Sequence, residues 1–559
     1  MIIYYQEPVE GDVVSIAPEA STNFDLIVIG AGINGLGIAR DAAERGLTVA
    51  LVEQEDVCAG VSAWSGRLVH GGLRYLERGD IALVRESLRE RELLFRVAPH
   101  LVKPVRLIMP LYERNRRPSW MIRLGMLAYD VLSFDKSVKS HRILSKRSVR
   151  ERFTGMSESG LGGAALFTDG QVEYAERLCV ELAVAAANAG AQIFLHSRVT
   201  DLLRDGDRIL GVRAETVNGE TRELRAALTI NAAGPWIDAV LHGTEQPHDE
   251  LAGIPWERLN GGAKGSHIIV DPFPGAPSDV VYYESQTDGR LVLVIPWMGR
   301  YLIGCTDIKY DLDPDTARAE SFEVDYLLTE TNALVPGANL TVDDVLFTYS
   351  GVRPLPYAPN IPEWKVPRSH IVLDHESRGF AGLLTIFGGK RTTYRQLAED
   401  AVDLAVRKLG RGARKPVSKF SPFPGADTND WVNFTATLAE RGLVEAETLH
   451  RLVDLYGTRA EQVLALVSAE PQLGERFDPE SPAIAAELVF AFEREFAESL
   501  TDVYARRILL AFQPGHGLAS VPRAIEILAE RFGWDATRRT FEAETYDRWL
   551  DHLRVPAAS

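Results

Sequence analysis

The stretch FDLIVIGAGINGLGIARDAAERGLTVALVEQED, residues 24–56, constrains the fold more than any other part of the chain. Leu26 to Ile29 is a short apolar run, the pattern of a buried parallel strand. Gly30, Gly32 and Gly35 follow as G-x-G-x-x-G around Asn34, and Ile38, Ala39, Ala42 and Ala43 continue at helical spacing to Gly46. Val49 to Val52 is a second strand, closing on Glu53. Such a unit is built for a dinucleotide. Its glycines let the backbone turn tightly, approach a pyrophosphate and seat helix against strand, while the helix start offers N–H groups and a positive dipole end. Glu53, 23 residues after Gly30, accepts ribose hydroxyls and repels a 2′-phosphate. The fingerprint alone leaves NAD and FAD open.

At 559 residues the chain exceeds what one hydrophobic core supports, so two or three domains are expected. A net charge of −17 disfavours nucleic acid, which needs a basic footprint. Cys58, Cys179 and Cys305 lie far apart with no C-x-x-C. That argues against zinc, an iron–sulfur cluster or a disulfide framework, so no metal site is expected, and it fits a reducing cytoplasm. Residues 1–23 lack a basic segment followed by an apolar run and read as a flexible leader. No uncharged apolar run reaches membrane-spanning length.

After Glu53 the alternation that would build a second NAD-type half does not continue. A helix with Leu178, Leu182, Val184 and Ala185 on one face leads to a strand at Gln192 to Leu195, and two more strands surround DGDRILGV near Val199. AALTINAAGPWID is a further buried strand running to Gly234. Leu383 to Phe387 then precedes Gly388, Gly389 and Lys390, with a helix opened by Thr392 and Thr393. A nucleotide domain assembled from separated pieces is the organisation of FAD oxidoreductases of the D-amino-acid-oxidase type. The expected architecture is α/β with α+β and all-α parts. It comprises a discontinuous Rossmann-like FAD-binding domain (24–100, 165–240 and 370–415) and a mixed-sheet, substrate and membrane-facing domain (101–164 and 241–369). A C-terminal helical domain (420–559) opens with the linker FSPFPGADTND.

Further stretches extend the pattern: LVHGGLRYLE, RERELLFRVAPHLV, NAAGPW, KGSHIIV, IPWMGRYLIGCTD, YSGVRPL, FGGKRTTYRQLAE and SLTDVYARRILLAF. In these, from about residue 24 into the last hundred residues, the chain resembles the FAD-dependent glycerol-3-phosphate dehydrogenases, respiratory enzymes that reduce quinone. It departs from them at VSAWSGRLVHGG, where Trp64, Gly66 and Arg67 replace small or hydroxylated residues and a lysine. The resemblance implies FAD, held by the fingerprint together with Ser62, Arg67, His70, Gly71, Gly72 and Val199. Gly234, Gly388, Gly389, Lys390, Thr392 and Thr393 would complete that set. It also implies hydride transfer from C2 of sn-glycerol 3-phosphate to the flavin, giving dihydroxyacetone phosphate, with electrons passed to a membrane quinone.

A reduced flavin and a phosphate dianion both require fixed positive charge. Gly71 and Gly72 would let the main chain run beside the flavin, with Arg74 pointing at substrate and Tyr75 beside it; a surface turn with solvated arginines is the alternative. Arg353 in YSGVRPL and Arg368 in VPRSHIVL lie in or beside apolar text, where an unpaired guanidinium is costly. Guanidinium planes match phosphate oxygens bidentately. By resemblance these two hold the phosphate, with Arg74 nearer the reacting carbon and Lys390 shared between substrate and flavin. A domain-interface salt bridge is the other reading of Arg353. His267 in AKGSHIIVD joins Arg353 and Arg74 in the catalytic set and is the first candidate base, with a water or an arginine-linked network the second; a satisfied core histidine is its other reading.

Residues 101–150 hold twelve Lys and Arg against three Asp and Glu. Within them RPSWMIRLGMLAYDVLSF is apolar at Trp120, Met121, Leu124, Leu127 and Phe134. A helix of this kind suits an anionic membrane surface, or else a buried position in which its basic flanks pair with acidic neighbours. The first reading places the protein peripherally on the inner face of the cell membrane. The C-terminal domain carries no ligand motif and reads as a cap, a brace or the surface of a homodimer. Against a quinone-linked dehydrogenase stand an oxidase that makes hydrogen peroxide, a related flavin oxidoreductase for another small hydroxy or amino substrate, and a non-catalytic flavin-binding protein.

Overall fold

The computed structural model describes residues 22–242, 258–361 and 366–557. The leader expected at 1–23 therefore lies almost wholly outside the described residues, as do 243–257 and 362–365 of the expected substrate domain.

The fingerprint folds as its pattern predicts. Asn23–Ile29 runs parallel to Val49–Val52 on one side and to Thr221–Asn231 on the other, and the helix Ile33–Glu44 connects the first pair. Every residue from Phe24 to Ile29 is buried, because helices and strands cover both faces of a parallel sheet. Gly35 is required by contact: a Cβ there would stand 1.9 Å from the Gly30 carbonyl oxygen. The full sheet has eight strands drawn from three separated regions. Leu383–Phe387 pairs with Thr221–Asn231 and Ile371–Asp374 lies beyond it at one edge, Gln192–Phe194 closes the far edge, and the hairpin Ser197–Asp205/Arg208–Thr216 attaches beside Thr221–Asn231. The helices Ala175–Asn188 and Tyr394–Leu409 pack against Ile33–Glu44.

A second, ten-stranded mixed sheet carries the rest of the expected substrate domain. Its longest ladder pairs Val102–Tyr112 with Leu161–Val172, antiparallel along nearly their whole length. Leu68–Val69 joins the far end of that ladder. Residues 68–69 and 165–172 thus belong to the second sheet, although the sequence grouped them with the nucleotide domain. The reason is the ladder itself: a cut at 165 would part eight of its eleven paired positions. Ala263–Val270, buried throughout, lies between Val345–Arg353 and Arg300–Gly304, and this places His267 opposite Tyr349 and Gly304.

Helices from Trp431–Glu440 to Ala536–Trp549 form the C-terminal domain. Its apolar core is continuous with side chains of the second sheet. Its attachment to the nucleotide domain is ionic and buried: Arg177 forks onto Glu495 at 2.5 and 2.8 Å, and Arg459 reaches both Glu181 and Glu495.

Candidate active site

A cavity of about 910 Å³ has the fingerprint at one end and the cations of the second sheet at the other. At the nucleotide end Gly30 takes φ +105°, and a Cβ there would strike the Ala232 carbonyl at 2.7 Å. Ser62 bends over the helix start, its Oγ accepting the Ile33 N–H at 3.0 Å. The Glu53 carboxylate is fixed by the N–H groups of Ala31 (2.6 Å) and Glu55 (3.0 Å). Burial raises its pKa to about 7 against these two hydrogen bonds. Asn34 Oδ1 is buried without a hydrogen-bond partner among the described residues. Val199, Gly234, Gly388 and Gly389 line the same cavity, with Thr392, whose Oγ1 accepts the His70 N–H at 3.2 Å.

The other end is crowded with positive charge. Arg353 donates to Asp307 Oδ1 at 2.9 Å and to Cys305 Sγ at 3.0 Å, and Arg368 donates to Asp307 Oδ2 at 3.2 Å. Arg74 reaches the Tyr75 hydroxyl at 3.4 Å. Lys390 donates to Ser87 Oγ at 2.6 Å and sits 4.6 Å over the Tyr75 ring. The cations disturb one another. Burial, then the neighbouring Arg353 and Arg74, bring Arg368 down to about 10 despite Asp307. Burial lowers Lys390 too, with Arg74 adding to the effect. Burial alone would raise Tyr75, but Arg74, Lys390 and Arg368 outweigh it and hold the phenol at about 7. His267 and His70 both fall to about 3, mainly through burial, His267 also through Arg353 and His70 through Lys390 and Arg74. Both imidazoles are therefore neutral near pH 7.

Most of the expected residues meet here, but some have other occupations. Arg67 lines the cavity with its guanidinium fully buried and bound to Glu176 at 2.6 Å, beside Trp297, Tyr349 and Phe512. Its charge is taken by that carboxylate. Gly71 and Gly72 are glycines for the sake of protein neighbours: a Cβ on Gly71 would meet the Tyr129 hydroxyl at 2.4 Å, and one on Gly72 the Tyr75 ring at 2.3 Å. Thr393 is buried under its turn, with its hydroxyl 3.5 Å from the Lys390 carbonyl. Sequence reasoning missed Asp307, the carboxylate that organises two of the arginines. The signal was present in the final letter of IPWMGRYLIGCTD.

Residues 25–395 match the family described as FAD dependent oxidoreductase, and residues 417–539 match the C-terminal domain of alpha-glycerophosphate oxidase. A glycerol-3-phosphate dehydrogenase of Synechocystis sp. is 43% identical over 541 residues, covering 96% of this chain and 98% of that protein. The chain belongs to the FAD-dependent glycerol-3-phosphate dehydrogenase family. Glycerol-3-phosphate dehydrogenase 2 of Mycobacterium tuberculosis is 35% identical over 94% of this chain and 87% of its own. Among solved structures, the Bacillus halodurans glycerol-3-phosphate dehydrogenase complexed with FAD is 25% identical, with a TM-score of 0.77 and 95% of both chains covered.

The residues present fit the family's cofactor. The Gly30 turn leaves no room for a side chain, the buried Asn34 oxygen without a partner would accept from a polar group of the cofactor, and Glu53 would accept ribose hydroxyls. Gly32 itself has no side chain to cap the helix, and Ser62 takes only the Ile33 N–H, which leaves the rest of that helix start to an anionic group.

Proposed function

We propose that this enzyme oxidises sn-glycerol 3-phosphate to dihydroxyacetone phosphate and passes the electrons to a membrane quinone. The observation that carries this reading is the convergence of Arg74, Arg353, Arg368 and Lys390 on a buried region whose paired carboxylate, among the described residues, is Asp307. That surplus suits a phosphate dianion. Arg353 and Arg368 present guanidinium planes to its oxygens, and Arg74 and Tyr75 reach toward the glycerol carbons. Bound FAD supplies the hydride acceptor. His267, neutral and facing Gly66, takes the C2 hydroxyl proton. The positive field around it stabilises the alkoxide as it forms.

The quinone and the membrane surface are supported by the helix Ser119–Leu132. It turns Ile122, Met126 and Tyr129 inward and leaves Trp120, Leu124, Leu127 and Val131 between 56 and 67% exposed, with Phe134 just beyond at 79%. These five positions recur at helical spacing, an apolar stripe suited to a lipid surface. Part of the basic flank is engaged elsewhere: Arg117 pairs with Glu77 and Glu284, and Arg114 lies over the Tyr112 ring at 3.9 Å. No helix among the described residues is long and apolar enough to cross a membrane. The test is an assay of the purified enzyme on glycerol 3-phosphate and on glycerol, each with a quinone analogue, a dye and oxygen as acceptors. Preference for the phosphate ester and the quinone is expected. Equal turnover of glycerol would refute the arginine assignment, and oxygen as the best acceptor would replace the quinone.

A further inference from the structure

The C-terminal domain does more than cover the fold. Its last turn, Leu550–Leu553, packs on the strand Val345–Arg353, where Thr348 Oγ1 donates to the Arg554 carbonyl at 2.7 Å. This brings Trp549 and His552 into the lining of the central cavity, far from the fingerprint in sequence. Both rings meet Trp64. His552 lies parallel to it, 6.0 Å between centroids and 5° between planes, and Trp549 stacks at 5.9 Å and 29°. Tyr349 closes the group at 5.7 Å. Trp64 is one of the positions at which the sequence departs from the small residues expected by resemblance, and only a large ring there spans to the C-terminal domain.

We propose that Trp549 and His552 are FAD-binding residues: with Trp64 they form an aromatic wall that retains the cofactor, so the C-terminal domain is part of the cofactor site. The His552 Nδ1 contact with the Trp549 carbonyl, 2.8 Å, requires the proton on Nδ1 and leaves Nε2 as an acceptor for a hydroxyl of the cofactor. The same domain steadies the ribose end. Arg506 and Arg507 both bind Asp56, three residues beyond Glu53 in the same loop. Asp502 meets His196 Nε2 at 3.1 Å, and the His196 N–H donates to the Glu55 carbonyl at 2.7 Å. The loop that follows Glu53 is thus anchored by one domain, directly at Asp56 and through His196 at Glu55.

The proposal rests on the family's cofactor and not on the substrate, so the test reads FAD alone. Deflavinated enzyme is titrated with FAD by flavin fluorescence, and melting of the apo form reports folding. Trp549→Leu and Trp64→Ser should each weaken FAD binding by roughly tenfold or more, equivalent to about 1.4 kcal/mol. Trp549→Phe, which keeps a ring, should restore most of it, and the double variant should lose less than the sum, since both rings belong to one stack. His552→Ala should weaken binding to a smaller but measurable degree. Wild-type affinity in Trp549→Leu overturns the proposal. If that variant does not fold, Trp64→Ser decides from the nucleotide side, and unchanged affinity there overturns it. Normal FAD affinity without turnover of glycerol 3-phosphate would count against the substrate reading instead.

Discussion

Two buried charge clusters differ in one respect, and the difference separates structure from function. Where the C-terminal domain meets the nucleotide domain, Arg177 and Arg459 face Glu181 and Glu495, two charges of each sign in direct contact. Burial alone would raise Glu495, yet Arg177 and Arg459 hold it near 2. At the cavity's far end two arginines share Asp307, while Arg74 and Lys390 donate to the hydroxyl groups of Tyr75 and Ser87. There the cations fare unequally: burial depresses Arg368 and Lys390, while Cys305 and Asp307 raise Arg353 and Tyr75 raises Arg74 against burial. A cluster that only holds domains together matches its charges. A surplus persists where an external anion completes the set.

The contrast can be broken first at the balanced cluster, where the largest effect is expected. Arg177→Ala leaves two carboxylates with one arginine in a buried interface and should cost about 3–5 kcal/mol of stability by denaturant unfolding. A loss under about 1 kcal/mol would mean the cluster is not what joins the domains. Acid should act on the same contact. Glu495 is depressed in the folded state, so its contribution is complete above the ordinary carboxylate range and is lost as the pH falls toward about 2. Arg353→Ala should behave in the opposite way. Removing one cation of a surplus leaves the melting temperature nearly unchanged, but the apparent KM for glycerol 3-phosphate should rise by the equivalent of about 2–5 kcal/mol. A melting loss as large as that of Arg177→Ala would make Arg353 an interface residue.

The two clusters were unequally legible in the sequence. Arg74, Arg353, Arg368 and Lys390 stood out because each sits in a short motif beside apolar text. The strands Val49–Val52 and Leu383–Phe387 matched their expected limits, since each is buried on both faces and bounded by polar or glycine residues. Arg177 and Glu495, separated by 318 positions, could not be paired by any local pattern. The same holds for Arg67, whose partner Glu176 lies 109 residues away, and for Trp549 in the cavity wall. Local periodicity reports burial. It does not report which distant charge will neutralise which.

The surface holds an imbalance of another kind. The stripe from Trp120 to Phe134 leaves its apolar side chains more than half exposed, with the Arg85 guanidinium over the Phe134 ring. Changing Leu124 and Leu127 together to aspartate removes two apolar anchors and adds charge, so affinity for anionic vesicles should fall by about 2–3 kcal/mol while dye-linked turnover persists. Raising the salt should weaken wild-type binding without abolishing it, because screening acts on the basic flank and not on insertion. Unchanged vesicle binding in the double variant would put the docking surface elsewhere.

The smallest predicted effect gives the finest test of the surplus at the site. Tyr75 is held near 7 because Arg74, Lys390 and Arg368 outweigh the burial that would otherwise raise it. Below that pH the phenol is neutral, and the full positive surplus meets the substrate. As the pH rises through about 7 a phenolate forms and occupies part of the charge that the phosphate needs. In the free enzyme kcat/KM for glycerol 3-phosphate should therefore decline above neutrality, by up to about tenfold per pH unit. Tyr75→Phe cannot ionise and should remove that limb of the profile while leaving the acid side in place. Were the decline to survive in Tyr75→Phe, the titrating group would be another one, Lys390 being next in line because burial lowers it as well. Lys390→Arg, which does not titrate in this range, would then flatten the curve, and the two variants together identify which group sets the limit on anion binding.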